Sequence, residues 1–347
     1  MPSSLRLGSG AVAPATRGTP ILQRPAKFRA TMATSAFARL PGFRDFPPEE
    51  LALRSHIQEA WRRVSRRYGF LEYDGPPLEP LELYVEKSGG EIVGQLYTFT
   101  DKGGRDVAMR PEMTPSLARI LGDRSRGMSK PIRWFAMPQL FRYERQQRGR
   151  LREHFQWNVD IVGEDDVAAD AEVLAVAIDG LRELGLTAAD FRARVSDRRL
   201  LRAVLLAQGV DVGRLPAAFG IIDKLERMPR DKARPALLTD VGLAASEADA
   251  LLDFFDSADL ASIQQRFGDR DEVAVELERL KQYVDALTAM GLGEYVEIDL
   301  RIVRGLAYYT GIVFELFDAK GEFRAICGGG RYDNLLQALG GVDMPAL

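Results

Sequence analysis

The sequence predicts an α+β fold in which an antiparallel sheet is flanked by helices and interrupted by a helical insertion. Residues 134–162 predict a hairpin, because two runs of aromatic and β-branched residues flank a polar turn that ends in glycine. Segments with apolar residues at helical spacing precede and follow this hairpin. Residues 198–294 contain short helical stretches without strand-like alternation, and strand-like patterning returns at Tyr295.

Length and composition exclude several classes of protein. The chain has 347 residues, 46% of them hydrophobic and 28% charged, which is enough for a large core and two or three domains. The net charge of −3 shows no overall basic excess, so any RNA contact would need a local patch. One cysteine, Cys327, excludes an internal disulfide, and with only two histidines a transition-metal site is not expected. No apolar run is long enough to predict a membrane span.

Residues 1–39 are predicted to be a disordered leader. The first 44 residues contain no Asp or Glu, whereas arginines are scattered among Ser, Thr, Ala and Pro. Organelle transit peptides have this composition, which would place the protein in a mitochondrion or plastid. The alternatives are a plain disordered tail and a true start at Met32, and both would leave the protein in the cytoplasm.

The first folded elements follow from proline, glycine and apolar spacing. Pro48 opens a helix that carries acidic residues in its first turn and ends at Gly69. This helix could face a dimer partner or the core. The patterns that come next predict a strand at 70–73, a proline-rich exit at 75–80, and a hairpin of 96–100 with 106–110.

A carboxylate and a hydroxyl then stand at the start of a helix predicted over residues 116–121. Thr114 precedes Pro115, so helix capping by Thr114 would explain the hydroxyl. Capping does not explain Glu112.

The hairpin at 141–163 has one polar and one apolar face. Side chains alternate along a strand, so Gln156 and Asp160 share a face of the return strand, and Arg142 and Glu144 share a face of the incoming strand. Such a face is either solvated or the floor of a pocket for a polar ligand. The second interpretation requires matching chemistry from other parts of the chain.

The remaining patterns complete the sheet. The sequence predicts a helix at 165–184, a strand at 191–195, strands at 296–302, 312–317 and 323–327, and a helix at 331–340. The charges of the helical insertion at 198–294 are interpreted as solvated faces or, alternatively, as a grip on RNA. The glycine triplet at 328–330 has neither the dinucleotide-binding nor the P-loop spacing.

In chain order, these blocks resemble the catalytic domain of histidyl-tRNA synthetase, a class II aminoacyl-tRNA synthetase. Residues 40–46 (LPGFRDF) resemble its motif 1, and residues 141–160 resemble its motif 2. Residues 304–311 (RGLAYYTG) and 328–333 (GGGRYD) resemble its two histidine-binding signatures. The sequence of motif 2 is closest to that of the family members in plant organelles and some bacteria. The resemblance covers residues 40–347.

The resemblance implies a six-stranded antiparallel sheet flanked by helices, a homodimer and a two-step reaction. L-Histidine and ATP, with Mg²⁺, would give histidyl-adenylate and pyrophosphate, and the histidyl group would then pass to tRNA(His). The catalytic domain would consist of residues 40–197 and 295–347, with the insertion at 198–294 between them. No protein side chain is assigned to a metal.

The resemblance also assigns site residues. Arg142 and Arg304 would be catalytic, and Arg142, Glu144 and Arg150 would bind ATP. Arginine suits these roles because its planar fork pairs with carboxylate or phosphate through two hydrogen bonds. Glu112 and Thr114 would hold the α-amino group of histidine, with Gln156 and Asp160 completing that pocket. Arg304 would also contact histidine, and three tyrosines would surround the imidazole: Tyr308, Tyr309 and Tyr332.

Two departures from the family pattern shape the interpretation. Ala307 stands where many members carry Asp, which is interpreted as subgroup variation. The chain ends at Leu347, where the family would enter motif 3 and then an anticodon-binding domain. We therefore expect a truncated or incompletely predicted chain that activates histidine weakly or not at all alone. The alternatives are a non-catalytic regulatory subunit of ATP phosphoribosyltransferase and a fragment that folds poorly.

Overall fold

The computed structural model describes residues 38–85, 93–145, 150–256, 259–303 and 308–347. The chain divides into residues 1–40, of which the structure describes 38–40, and a unit of residues 41–347 to which the following refers. The described helices are α1 (Pro48–Arg67), α2 (Glu82–Val85), α3 (Thr114–Arg124), α4 (Val167–Arg182), α5 (Arg198–Ala207), α6 (Leu215–Ile222), α7 (Arg230–Ala236), α8 (Ala245–Asp256), α9 (Leu260–Phe267), α10 (Asp271–Ala289) and α11 (Leu335–Gly340). The described strands are β1 (Leu71–Glu72), β2 (Leu78–Pro80), β3 (Tyr97–Thr100), β4 (Asp106–Met109), β5 (Ile132–Ala136), β6 (Gln139–Phe141), β7 (Glu153–Phe155), β8 (Asn158–Val162), β9 (Phe191–Asp197), β10 (Val296–Ile298), β11 (Ile312–Asp318) and β12 (Cys327–Gly330).

Helix α1 forms where the sequence predicts it. Proline in its first turn needs no intrahelical N–H bond, and the acidic residues there complement the positive helix end. The helix ends just before Gly69, which has a φ of +78°. Trp61 stacks on Trp157 with ring centroids 5.8 Å apart, so α1 packs against the return arm of the predicted hairpin.

The hairpin at 134–162 is confirmed, but it is divided into two ladders. Strand β5 pairs with β8, and β6 pairs with β7, both antiparallel. Pro138 lies between the two ladders and lacks an N–H to donate, although its carbonyl accepts a hydrogen bond from the Gln156 amide at 3.1 Å. The pairing places Trp134 directly opposite Asp160.

A second sheet has the strand order β10-β9-β11-β12. Buried residues of β9, such as Phe191 and Val195, belong to the same core as buried residues of α4, α5 and α10. The helices of 198–294 thus share a core with the sheet, and the boundaries of an insertion domain at 198 and 294 remain predictions.

The last residues of the chain lie along the edge of β8. Ile161 and Leu347 exchange two backbone hydrogen bonds of 3.0 Å, and the Gly163 amide donates to Pro345 at 2.8 Å. The carbonyl of Ala346 accepts from the amide of Tyr332 at 2.7 Å. This segment therefore holds the backbone of Tyr332 beside β8.

The structure corrects several sequence-based boundaries. The strand predicted at 323–327 is wrong, because β12 comprises Cys327–Gly330, and the amides of Glu322 and Phe323 donate to the Asp318 carboxylate in a turn. Thr114 is not a cap: Met113 precedes the helix, and no side chain caps it. The last helix begins at Leu335 rather than at Arg331.

The strand pairing also differs from a single six-stranded antiparallel sheet. The described strands form sheets of three, four, three and two strands, and two of the pairs, β1–β5 and β9–β10, are parallel. The α+β class with helices against antiparallel strands is confirmed. None of the helices in the described ranges has the length and apolar character needed to cross a membrane.

Candidate active site

Glu112 is buried on the short segment that connects β4 to α3. Arg110 anchors this segment, since its guanidinium donates to the Asp74 carboxylate and the Gly75 carbonyl, both at 2.7 Å, and to the Gln139 carbonyl at 3.0 Å. Glu112 is 4% exposed, and its Oε2 accepts a hydrogen bond of 3.1 Å from the Tyr308 hydroxyl. A negative charge is thereby held beside the tyrosine segment.

Asp160 lies on β8 and is almost completely buried. Its Oδ1 accepts a hydrogen bond of 2.6 Å from the Tyr332 hydroxyl. Burial raises the pKa of Asp160 to about 7, although the hydrogen bond from Tyr332 opposes this. Within the described part of the chain, the second oxygen of Asp160 and the buried hydroxyl of Tyr73 have no hydrogen-bond partner.

The three predicted tyrosines form one aromatic cluster. The ring centroids of Tyr308 and Tyr309 are 5.1 Å apart, and those of Tyr308 and Tyr332 are 6.0 Å apart in an edge-to-face arrangement. Hydrogen bonds continue from this cluster to Glu112 on one side and to Asp160 on the other. Three distant segments of the chain therefore meet at one place.

Arg142 is held close to the Glu112 segment. Its Nε donates to the carbonyl of Pro111 at 3.0 Å, and its amide donates to the Arg152 carbonyl across the hairpin, also at 3.0 Å. The guanidinium is thus fixed next to the acidic end of the cluster. Thr114, the neighbouring predicted ligand, is 8% exposed at the start of α3.

Glu144 and Arg150 form an ion pair of 3.0 Å across the hairpin loop. Arg150 is 45% exposed, whereas Glu144 is 12% exposed. The loop residues 146–149 lie outside the described residues. Two of the three predicted ATP ligands are therefore close to each other in this structure.

His154 lies on β7 and Gln156 follows directly after that strand, whereas the sequence predicts both on one polar strand face. Burial lowers the pKa of His154, nearby Arg142 lowers it further, and a hydrogen bond with Gln156 opposes both effects. A neutral imidazole beside an arginine avoids a second buried positive charge. His154 was not among the predicted site residues, although its position on the polar face was a signal for it.

The glycine triplet at 328–330 belongs to a strand rather than to a loop. Strand β12 pairs with β11, and a Cβ on Gly330 would lie 2.7 Å from Val313 Cγ1, 2.8 Å from the Ile312 carbonyl and 3.0 Å from Tyr309 Cδ1. Glycine thus permits the close approach of the backbone to Tyr309.

The structure does not describe every predicted residue, and it adds others. Arg304 and Ala307 lie outside the described residues. Tyr73 and the buried pair of Arg331 with Asp170 were missed, because a tyrosine before a proline-rich exit and an aspartate in an amphipathic helix carry no local signal of function. Arg331 stood within the predicted signature, but only Tyr332 was singled out there.

The described residues contain no group of three or more His, Cys, Asp or Glu side chains that could hold a metal ion. What they offer is two buried carboxylates, an arginine fixed by backbone contacts and an aromatic wall. Such a set suits a small zwitterionic ligand with an aromatic or heteroaromatic side chain.

Comparison with known proteins identifies relatives along almost the whole described chain. A model of the family "Histidyl-tRNA synthetase" matches residues 42–347. The chain is 46% identical over 318 residues to the histidine--tRNA ligase of Opitutus terrae, and the aligned region covers 91% of this chain and 72% of that protein. It is 44% identical over 305 residues to the chloroplastic/mitochondrial histidine--tRNA ligase of Arabidopsis thaliana, and this aligned region covers 88% of this chain and 62% of that protein.

Two solved structures have the same fold. The histidyl-tRNA synthetase of Nostoc sp. PCC 7120 has a TM-score of 0.77 at 24% identity, covering 89% of this chain and 72% of that chain. A Bacillus halodurans protein, described as an ATP phosphoribosyltransferase regulatory subunit/histidyl-tRNA synthetase, has a TM-score of 0.75 at 24% identity, covering 90% and 80%. At this identity the two likenesses support the fold alone.

Proposed function

Because the chain belongs to the histidyl-tRNA synthetase family, we propose that it is a histidine–tRNA ligase, which joins L-histidine to tRNA(His) at the expense of ATP. The observation that carries this proposal is a connected series of contacts. Tyr308 donates a hydrogen bond to Glu112, the rings of Tyr308 and Tyr332 meet edge to face, and Tyr332 donates a hydrogen bond to Asp160. This series places two carboxylates at opposite ends of an aromatic wall.

The substrate histidine fits the charges and rings of this cluster. Its α-ammonium group would pair with Glu112 and Thr114, with Gln156 nearby, because a buried carboxylate is best matched by a bound cation. Its imidazole would lie against the three tyrosines. The second oxygen of Asp160 and the hydroxyl of Tyr73 support this placement, since buried polar atoms without a partner mark sites for water or a ligand.

The first step would join a histidine carboxylate oxygen to the α-phosphorus of ATP. The bond from that phosphorus to the bridging oxygen of the β-phosphate breaks, and pyrophosphate leaves with the bonding electron pair. Negative charge increases on the α-phosphate oxygens, so fixed guanidinium groups would stabilise the transition state. We assign this role to Arg142 and to Arg304, and ATP binding to Arg142, Glu144 and Arg150. Mg²⁺ would enter with the ATP phosphates, as is usual for this ion.

In the second step, a ribose hydroxyl at the 3′ end of tRNA(His) would attack the activated carbonyl carbon, and AMP would leave. The same proposal includes a homodimer, as the family resemblance implies. We also propose an organellar location if residues 1–39 are a transit peptide, and a cytoplasmic one otherwise. The organellar alternative is supported by the 44% identity to the chloroplastic/mitochondrial ligase of Arabidopsis thaliana.

The test is histidine-dependent exchange of labelled pyrophosphate into ATP, measured on this chain and on any longer product of the same gene. We expect exchange that requires histidine and falls by about 100-fold in Arg142→Ala, because one fixed donor to a developing oxyanion contributes about that factor. Arg234→Ala is the matched control, since Arg234 forms an ion pair with Asp249 between helices α7 and α8.

Absence of exchange from both proteins would reject the ligase and leave the regulatory-subunit hypothesis. Exchange that is unchanged in Arg142→Ala or Arg304→Ala would remove that arginine from its assigned role. Exchange supported equally by several amino acids would reject the proposed histidine pocket while retaining the adenylate chemistry.

A further inference from the structure

Arg331 is a fully buried arginine directly before the site residue Tyr332. It is 1% exposed, and its Nε lies 3.1 Å from both oxygens of the Asp170 carboxylate on α4. Its Nη2 lies 2.5 Å from Asp170 Oδ2 and also donates to the Asp166 carbonyl at 3.4 Å. Its Nη1 donates to the Glu164 carbonyl at 3.0 Å and to Asp333 at 3.3 Å.

These contacts satisfy all five N–H donors of the guanidinium. Burial raises the pKa of Asp170, and the hydrogen bonds and charge of Arg331 oppose that rise. Each member of the pair therefore compensates the buried charge of the other, and the planar fork of arginine fixes the orientation as well as the charge. The Arg331 side chain cannot move without leaving Asp170 uncompensated.

The backbone of Arg331 is tied to the segment that carries the other site tyrosines. The amide of Thr310 donates to the Arg331 carbonyl at 2.7 Å, and the amide of Arg331 donates to the Ile312 carbonyl at 3.0 Å. Thr310 directly follows Tyr309. The position of Arg331 thereby determines where both tyrosine segments lie relative to each other.

Asp333 completes the connection on the other side of Tyr332. It accepts hydrogen bonds of 2.9 Å from the Thr310 hydroxyl and from Arg199 Nη2. Arg199, on α5, also donates from Nε to the Thr310 carbonyl at 3.2 Å. A Cβ on Gly311 would lie 3.3 Å from Arg331 Cδ, so the arginine side chain passes close against this segment.

We propose that Arg331 is a positioning residue for the amino-acid substrate: its pairing with Asp170 holds Tyr332 and the segment of Tyr308 and Tyr309 at the spacing that receives the substrate side chain. This inference rests on the proposed ligase function. Arg331 itself lies behind the tyrosines and contacts helix α4, so its effect on the reaction acts through Tyr332 and Thr310.

The decisive variant replaces the ion pair with apolar residues, Arg331→Met with Asp170→Leu. An apolar pair of similar volume often preserves stability when it replaces a buried ion pair, whereas removing one partner leaves an uncompensated charge. A merely structural pair would then be replaced without loss of substrate affinity. Arg331→Lys is the second variant, because it keeps the charge and loses the planar fork.

Two readouts are measured on the whole chain. The first is the KM for histidine against the KM for ATP in pyrophosphate exchange. In both variants we expect the histidine KM to rise about 10- to 100-fold, because a small displacement of the tyrosines weakens substrate positioning by about this factor. The ATP KM should change by less than about twofold. The second is the ¹⁹F NMR signal of 3-fluorotyrosine at Tyr332, assigned with Tyr332→Phe, which we expect to shift or broaden.

The matched control is Arg133→Met. Arg133 pairs with Glu172 on the same helix, with Nη2 and Oε2 2.7 Å apart, but points away from the strand face that carries Asp160. We expect it to change neither readout. If it raises the histidine KM as the double variant does, general loosening of α4 explains the effect and the proposal is wrong.

The outcomes separate this inference from the proposed function. A folded double variant with the wild-type histidine KM and Tyr332 signal overturns the positioning role. If the double variant does not fold, Arg331→Lys decides by the same split between the two KM values. If the wild-type chain shows no exchange, the ligase proposal fails and the Tyr332 signal alone decides: a changed signal supports the positioning role and an unchanged signal rejects it.

Discussion

Replacing Asp160 with asparagine is expected to make the protein more stable at neutral pH. Asparagine keeps an oxygen that can accept the Tyr332 hydroxyl, whose hydrogen bond to Asp160 is 2.6 Å long. It also stays neutral at every pH at which the protein folds. The ionised carboxylate, by contrast, is 4% exposed and pairs with no cation in the described residues around it.

The expected magnitude follows from the pKa of Asp160 in the two states. Burial raises it to about 7 in the folded protein, against the ordinary value of 3.8 in the unfolded chain. Between these values the unfolded chain has lost its proton and the folded protein keeps it, so the free energy of unfolding falls as pH rises. The slope is about 1.36 kcal/mol per pH unit between the two pKa values and falls to half near pH 7, so the loss is about 2 kcal/mol from pH 5 to 7 and about 4 kcal/mol in full.

The assay is urea unfolding of the wild type and Asp160→Asn at pH 5, 6, 7 and 8. The difference in unfolding free energy should grow in favour of the variant by about 2 kcal/mol up to pH 7 and level off by about pH 8. Asp123→Asn, at an exposed position of α3, controls for the loss of one carboxylate.

A difference between wild type and Asp160→Asn that does not change with pH would refute this reasoning. It would mean that the pKa of Asp160 in the folded protein is close to its ordinary value of 3.8. In that case the carboxylate has a partner or water contact that offsets its burial. The second oxygen of Asp160 would then no longer support a ligand site beside it.

Two further predictions concern the proposed histidine pocket. Glu112→Gln keeps an oxygen that can accept from the Tyr308 hydroxyl but loses the negative charge. The histidine KM in pyrophosphate exchange should therefore rise by about 10- to 100-fold, the effect of losing a hydrogen bond to a charged group. An unchanged KM would show that the ammonium group of histidine binds elsewhere. Gly330→Ala places a methyl group 2.7 Å from Val313 Cγ1 and should reduce the free energy of unfolding by about 1–3 kcal/mol. The measurement is urea unfolding, with Gly127→Ala at an exposed position as the control. Equal stability of the two variants would show that β12 can shift to make room for the methyl group.

Part of the candidate site could be predicted from short stretches of sequence. Strand alternation is a local property, and it predicted Gln156 and Asp160 on one face of the return strand and Arg142 and Glu144 on one face of the incoming strand. The structure keeps Asp160 in β8, whereas Arg142 and Gln156 lie just beyond the paired residues of β6 and β7. Helix α1 was also predicted locally, because its start follows from Pro48 and its acidic first turn. Local rules were less reliable at the turn after Asp318, because side-chain hydrogen bonds replace the expected strand there.

The sequence by itself determined the fold class and the order of the blocks, because periodicity and spacing depend on neighbouring positions. The residues for adenylate chemistry were assigned by the resemblance of those blocks to a known family. Only the tertiary structure decided which of these residues meet. Tyr308 reaches Glu112 across 196 positions, and Tyr332 reaches Asp160 across 172 positions. Arg331 and Asp170 are likewise brought together by the packing of α4 against the sheet. Such contacts depend on how buried faces pack, and no local pattern encodes them.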